Sequence, residues 1–212
     1  MVNQLGTPTQ TEMSLGLKEA LQSGVSSVVN KLSAENGFLG NAAIKIVFPQ
    51  EAQKVENTLR SLGLNSLADN VIMSLNRAAE DAVKSATPIF VNAIKQMSFQ
   101  DVTNILLGGS DAATQYFKRA TNAALVAKFR PVISNSINKV GATKYWTDVT
   151  TTYNKLPLVT PIQTDLTGYV TEKAITSLFR EIAAEELKIR QNTTSRSTVL
   201  LQKVFAYADT KK

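Results

Sequence analysis

Residues 65–97, NSLADNVIMSLNRAAEDAVKSATPIFVNAIKQM, decide the fold. Leu67, Val71, Leu75, Ala78 and Ala82 recur at steps of three and four, the spacing that lines one face of a helix. Thr87-Pro88 interrupts the pattern, because proline lacks the N–H an interior turn needs and pushes the residue before it toward extended backbone. The same spacing resumes through Ile89, Ala93, Ile94 and Met97. Ser66, three residues before Asp69, resembles a capping box that would open the first helix. The window therefore reads as a long helix, a proline break and a second helix.

The flanks repeat this grammar. Leu17, Leu21, Val25, Val28 and Leu32 predict a helix over 12–33, weakened at Gly24 by about 1 kcal/mol relative to alanine. Ala43 to Phe48 is the one strand-like run. With no ladder partner in sight, it reads as an extended segment laid across helices. Pro49 leads a helix through Val55 and Leu59 to Gly63, a glycine placed to follow a helix end. Ser98-x-x-Asp101 starts a short helix that Gly108-Gly109 stops. Asp111 then caps a helix to Arg130-Pro131 that continues, kinked, toward Val140-Gly141. A short helix follows over Thr143–Tyr153. Asp165 leads one carrying Leu166, Val170, Leu178 and Ile182 to about Arg190, and a last helix covers Ser195–Tyr207. Medium helices with short polar joints pack as antiparallel neighbours. The expectation is an all-α protein, an irregular multi-helix bundle of medium and short helices with little or no sheet. Residues 1–10 read as a loose lead-in and 11–208 as a single helical domain. The segment 154–164, with Pro157 and Pro161, is the best place for a weak internal boundary.

Composition narrows the chemistry. The 212 residues are 43% hydrophobic and 19% charged, enough apolar material to bury about 70% of the unfolded surface. There is no cysteine, which removes disulfides, thiolate nucleophiles and sulfur-ligated metals. There is no histidine, which removes the commonest general base and the commonest transition-metal ligand. Carboxylates, Lys, Tyr, Ser and Thr remain, and neither a cofactor nor a metal is expected. No run of 18 apolar residues predicts a membrane span. The opening Met1–Gly6 has neither the basic nor the apolar segment of a signal peptide. The two expectations are a cytoplasmic protein or one whose signal has been removed.

Charge is concentrated. Between residues 118 and 155 lie Lys118, Arg119, Lys128, Arg130, Lys139, Lys144 and Lys155 against the single acid Asp148, and this stretch holds the whole net charge of +6. Tyr116, Phe117, Phe129, Tyr145, Trp146 and Tyr153 are interleaved. Most of these aromatics fall at helical spacing and read as core. Exposed bases at Lys118, Arg119, Lys128, Lys139 and Lys144 would offer a face to an anionic lipid, a glycan or an envelope protein. The absence of helix-turn-helix or RNA-binding signatures argues against nucleic acid. A solvated basic face with no partner is the plain alternative.

Catalytic patterns are weak. Ser136-Ile-Asn-Lys139 matches a serine–lysine spacing, but its companion elements are missing. Glu80-Asp81 and Glu185-Glu186 are neighbours on helices, pointing about 100° apart, and read as helix-surface charge rather than facing acids. The run Gly108 to Asp111 precedes a helix whose N-terminus would attract an anion. Asp111 would repel one, so a structural turn is favoured. Arg77 sits in the alanine-rich part of its helix and is expected to be partly buried and paired with Glu80 or Asp81, three and four positions on.

Several blocks carry a resemblance. They are Asn76 to Val83, Pro88 to Met97, Asp111 to Tyr116, Val140 to Trp146 and Tyr153 to Pro157. Together they resemble a bacterial family known as domain of unknown function 4197, over about residues 13 to 205. The resemblance implies an all-helical fold and, since members usually carry a signal or lipoprotein signal, the periplasm or the outer-membrane periphery. It supplies no activity and no site residues. The leading expectation is a non-catalytic binding or structural module of the cell envelope. The competing ones are a helical carrier of a lipid or other apolar ligand, and an enzyme using carboxylate, Tyr or Lys chemistry.

Overall fold

A computed structural model describes residues 6–139, 146–147, 150–151, 154 and 165–211, with Glu51 described by its backbone alone. Its helices are α1 (Gln10–Ser33), α2 (Gln53–Ser61), α3 (Asn65–Val83), α4 (Thr87–Lys95), α5 (Phe99–Leu106), α6 (Ala112–Lys139), α7 (Leu166–Gln191) and α8 (Val199–Asp209). Two 3-10 turns, Gln50–Ala52 and Thr193–Ser195, precede α2 and α8. No strand occurs among the described residues, so the protein is all-α. Most of the segments 143–153 and 154–164 lie outside the described residues, although Trp146, Thr147, Thr150, Thr151 and Asn154 are helical.

The chain gathers into two compact units, each drawn from separated segments. One comprises Met1–Asn30, Ala86–Leu125 and Leu178–Lys212, the other Lys31–Ser85 and Val126–Ser177. The long helices α1, α6 and α7 contribute residues to both.

In the first unit, fully buried Phe90 meets two rings edge-on, Phe117 at 5.0 Å and Phe179 at 6.2 Å between centroids. This geometry sets ring edges against ring faces and adds about 0.5–1.5 kcal/mol per pair to the burial itself. Leu17, Leu106, Leu125, Leu178 and Val204 fill the same core. Tyr116 is half-buried, its hydroxyl donates to the Ala93 carbonyl at 3.0 Å, and loss of water raises its pKa.

In the second unit the strand-like run keeps strand character without a strand. Ile44, Ile46 and Phe48 are buried while Lys45 and Val47 face out, a two-residue alternation. The ladder partner is a side chain. Ile46 N–H donates to Asn76 Oδ1 at 2.9 Å, and Asn76 Nδ2 donates back to the Ile46 carbonyl at 2.7 Å. Tyr169 donates its hydroxyl to the Val47 carbonyl at 3.1 Å. Buried backbone groups must be paired somewhere, and here an amide on α3 does what a neighbouring strand would do. Phe48 packs beside Trp146, with ring centroids 5.7 Å apart.

Helix ends follow local chemistry, with three corrections to the sequence reading. Gly63, at φ +76°, ends α2 in a Schellman turn: its N–H donates to the Arg60 carbonyl, and Leu64 N–H donates to that of Leu59. That turn makes Leu64 the residue before α3, so Ser66 lies inside the first turn and forms no capping box. Asp69 instead accepts from Arg60 at 2.9 Å. Asp111 does not cap α6 through its carboxylate, which accepts from the Gln115 amide. The last helix begins at Val199, not Ser195, because Thr198 supplies the cap by accepting from Leu201 N–H. Pro88 stands in the first turn of α4, and Pro131 is carried within α6.

Ser98 and Asp101 do form a complete capping box at α5. The Ser98 hydroxyl and backbone N–H hold the Asp101 pKa below its ordinary value, and Gly168 N–H followed by Arg130 does the same for Asp165 at α7. A carboxylate with a depressed folded pKa stabilises the fold above its unfolded pKa and loses that contribution as pH falls through the folded value. The urea midpoint is therefore expected to stay level from pH 7 to about 5 and to fall below about pH 4. Asp101→Asn should flatten part of that fall. A midpoint that rises on acidification would remove these caps from the account.

Candidate functional site

The deepest polar feature of the first unit lies where α5 gives way to α6. A Cβ at Gly108 would collide with the Asn104 carbonyl and with Ala112, so the chain turns here only because that residue is glycine. The turn leaves the last carbonyls of α5 and the first N–H groups of α6 without partners inside their own helices. One ion pair from α7 serves both. Glu186 accepts from Ala113 N–H at 3.0 Å, Thr114 N–H at 2.9 Å and the Thr114 hydroxyl at 2.8 Å. Arg190 donates to the Ile105 carbonyl at 2.7 Å and, at 3.4 Å, to that of Leu106. The two side chains join at 2.8 Å, four residues apart on one helix, and are 7% and 4% exposed. Each charge sits at the helix end whose dipole favours it, carboxylate at an N-terminus and guanidinium at a C-terminus.

A second arginine extends the arrangement. Arg196 donates to the Arg190 carbonyl at 2.9 Å and to Asp209 Oδ2 at 2.8 Å, with its guanidinium 5.4 Å from the centroid of the Phe205 ring. It closes the end of α7 and ties it to the last residue of α8.

Beside the Glu186–Arg190 pair opens a cleft with about 410 Å³ of empty space, part of it open to solvent. Leu17, Leu21 and Val25 of α1, Phe117 of α6, Ile182 and Ile189 of α7 and Phe205 of α8 supply its apolar walls. Gly24 lies on the α1 wall, where a Cβ would touch Glu185 and Ile189 at 3.6 Å, ordinary contact distance.

The second unit holds a parallel arrangement on α3. Glu80, 2% exposed, accepts from Phe38 N–H at 3.1 Å and from Leu39 N–H at 3.4 Å. Its other oxygen accepts from Arg77 at 2.6 Å. Arg77 also donates to Glu35 and to the Asn36 side chain, both at 3.0 Å. Asn36 adopts φ +65° there. The Glu80 hydrogen bond, named first among the causes, raises the Arg77 pKa.

The residues singled out from sequence are placed as follows. Arg77 is one-third exposed and paired with Glu80 and Glu35. Asp81 faces outward and pairs with Lys84 instead. Lys118, Arg119, Lys128 and Lys139 are exposed along α6, and Lys144 lies outside the described residues. Lys118 and Arg119 belong to the first unit, Lys128 and Lys139 to the second. At about 100° per residue, Lys128 and Lys139 share a side of the helix, whereas Arg119 and Lys128 point to opposite sides. Of the aromatics interleaved with them, Phe117, Phe129 and Trp146 are buried, while Tyr145 and Tyr153 lie outside the described residues. Ser136 donates its hydroxyl to Asp81 at 3.3 Å. The reading of Glu80-Asp81 and Glu185-Glu186 as helix-surface charge is corrected for one member of each pair, since Glu80 and Glu186 are buried. Sequence reasoning passed over Asn76, Glu186, Arg190 and Arg196. The available signal was phase: Glu186 and Arg190 continue the buried row Ile175, Leu178 and Ile182 at four-residue steps.

Fold and site together define an all-helical protein whose buried charges hold helix ends and turns. The chain belongs to the family described as a protein of unknown function, DUF4197, which matches residues 7–206. No curated protein and no solved structure matches it. No helix among the described residues is long and apolar enough to cross a membrane, and no cluster of acids there is arranged to hold a metal ion.

Proposed function

We propose that this chain is a non-catalytic binding module of the bacterial cell envelope. One observation carries the non-catalytic reading: the buried carboxylates are saturated by the protein itself. Glu186 is bonded by two backbone N–H groups, a hydroxyl and a guanidinium, and Glu80 by two backbone N–H groups and a guanidinium. A general acid or base must come within hydrogen-bond reach of a substrate proton, and these oxygens are committed to helix ends and a turn. The envelope location rests on family membership and on the signals that members usually carry. The exposed bases of α6 supply positive charge for an anionic lipid, glycan or envelope protein, acting within a Debye length of about 8 Å at physiological salt.

Fractionation tests the location. The gene is tagged after Lys212 in its own host, and cells are separated into cytosol, osmotic-shock fluid and outer membranes. Recovery with periplasmic or outer-membrane markers supports the reading. Recovery wholly with cytosolic enzymes rejects it.

A further inference from the structure

We propose that the cleft of the first unit is a binding site for an uncharged hydrocarbon group, one aliphatic chain or one ring system. This inference rests on the reading of the chain as a binding module and names the chemistry one of its sites accepts.

Three observations lead there. The first is the wall: leucine, valine, isoleucine and phenylalanine side chains from four helices of one unit converge on the cleft, and such a surface gains by exchanging water for hydrocarbon. The second is the charge count at the floor. Glu186 and Arg190 line the cleft but neutralise each other at 2.8 Å, and their remaining hydrogen bonds go to α5 and α6. They have no polarity left over for an ionic head group. At the wall, Glu185 is drawn toward Lys188 at 3.4 Å. A charged ligand entering would lose water without finding an opposite charge. The third is the size. About 410 Å³ corresponds to roughly a dozen waters at about 30 Å³ each, enough for one chain or ring and too little for a two-chain lipid.

Gly24 makes the proposal testable without damage to the fold. It lies inside α1, where leucine is the better helix former, and a Cβ there meets only ordinary contacts. The atoms beyond that Cβ would occupy the cleft. The probe is N-phenyl-1-naphthylamine, an uncharged aromatic whose fluorescence rises on leaving water, titrated into the full chain. Wild type is expected to bind it saturably, and 1-decanol should displace it. Gly24→Leu should weaken binding by about tenfold or more with an unlowered melting temperature. Leu21→Lys, at a half-exposed position of the same wall, should weaken it likewise and serves if the first variant fails to fold. Displacement by lysophosphatidylcholine as effectively as by 1-decanol would identify the chain of a single-chain lipid as the source. Displacement by 1-decanol alone would identify a free small molecule. No saturable binding by wild type, or unchanged binding by both folded variants, overturns the proposal. That failure would leave the envelope location standing, because fractionation reads it independently.

Discussion

Replacing Arg190 with methionine is expected to destabilise the protein by roughly 3–5 kcal/mol. The effect comes from what is left behind. Glu186 stays buried, 7% exposed, with its guanidinium partner gone, and the carbonyls of Ile105 and Leu106 lose their donor. An uncompensated buried charge costs far more than a surface ion pair contributes, since exposed pairs are worth about 0–1 kcal/mol. Methionine keeps most of the side-chain volume, so a large loss cannot be assigned to a cavity. Urea unfolding of wild type, Arg190→Met, Glu186→Gln and the double variant closes a thermodynamic cycle. The singles should be strongly non-additive, with the double variant recovering part of the loss. A single-variant loss under 1 kcal/mol would mean that the pair does not hold the α5–α6 junction.

Glu80→Ala is expected to cost a similar amount, roughly 3–5 kcal/mol, in the second unit. It removes the acceptor for Phe38 and Leu39 N–H and leaves Arg77 with its exposed partner Glu35 alone. Phe38 is fully buried, so its N–H has no easy route to water. The sole tryptophan, Trp146, lies in the same unit and packs on Phe48. Its fluorescence should follow the loss, with the unfolding midpoint moving to lower urea. Glu80→Gln keeps one acceptor oxygen and should fall between wild type and the alanine variant. If Glu80→Ala matched wild type, the 34–40 turn would not depend on this carboxylate.

These buried charges also show how far the sequence could be read. The apolar rhythm of 65–97 was enough to specify helix, proline break and helix, because a three-to-four-residue repeat is a local property of backbone geometry. The Schellman glycine at 63, the capping box at Ser98 and the glycine stop at 108 were legible for the same reason: each involves residues within a few positions of one another. The capping box at Ser66 failed because a competing local signal, the turn at Gly63, had already set the start of α3.

What the sequence alone could not decide is which charged residues turn inward and what meets them. Asn76 and Glu80 continue the buried rows of α3, and Glu186 and Arg190 continue that of α7, so their phase was visible. Their partners were not, because Phe38 is 42 residues from Glu80 and Thr114 is 72 from Glu186. Backbone groups carry no sequence signature, and an N–H at a helix start looks the same whichever side chain later caps it. Only the tertiary arrangement makes α7 the cap for both α5 and α6, makes an amide on α3 the ladder partner of Ile46, and gathers each compact unit from segments far apart in the chain. Local chemistry, acting over a turn or two, determined that this protein is helical and where most of its helices end. Burial, which acts only after distant segments meet, decided which of its charges became part of the core.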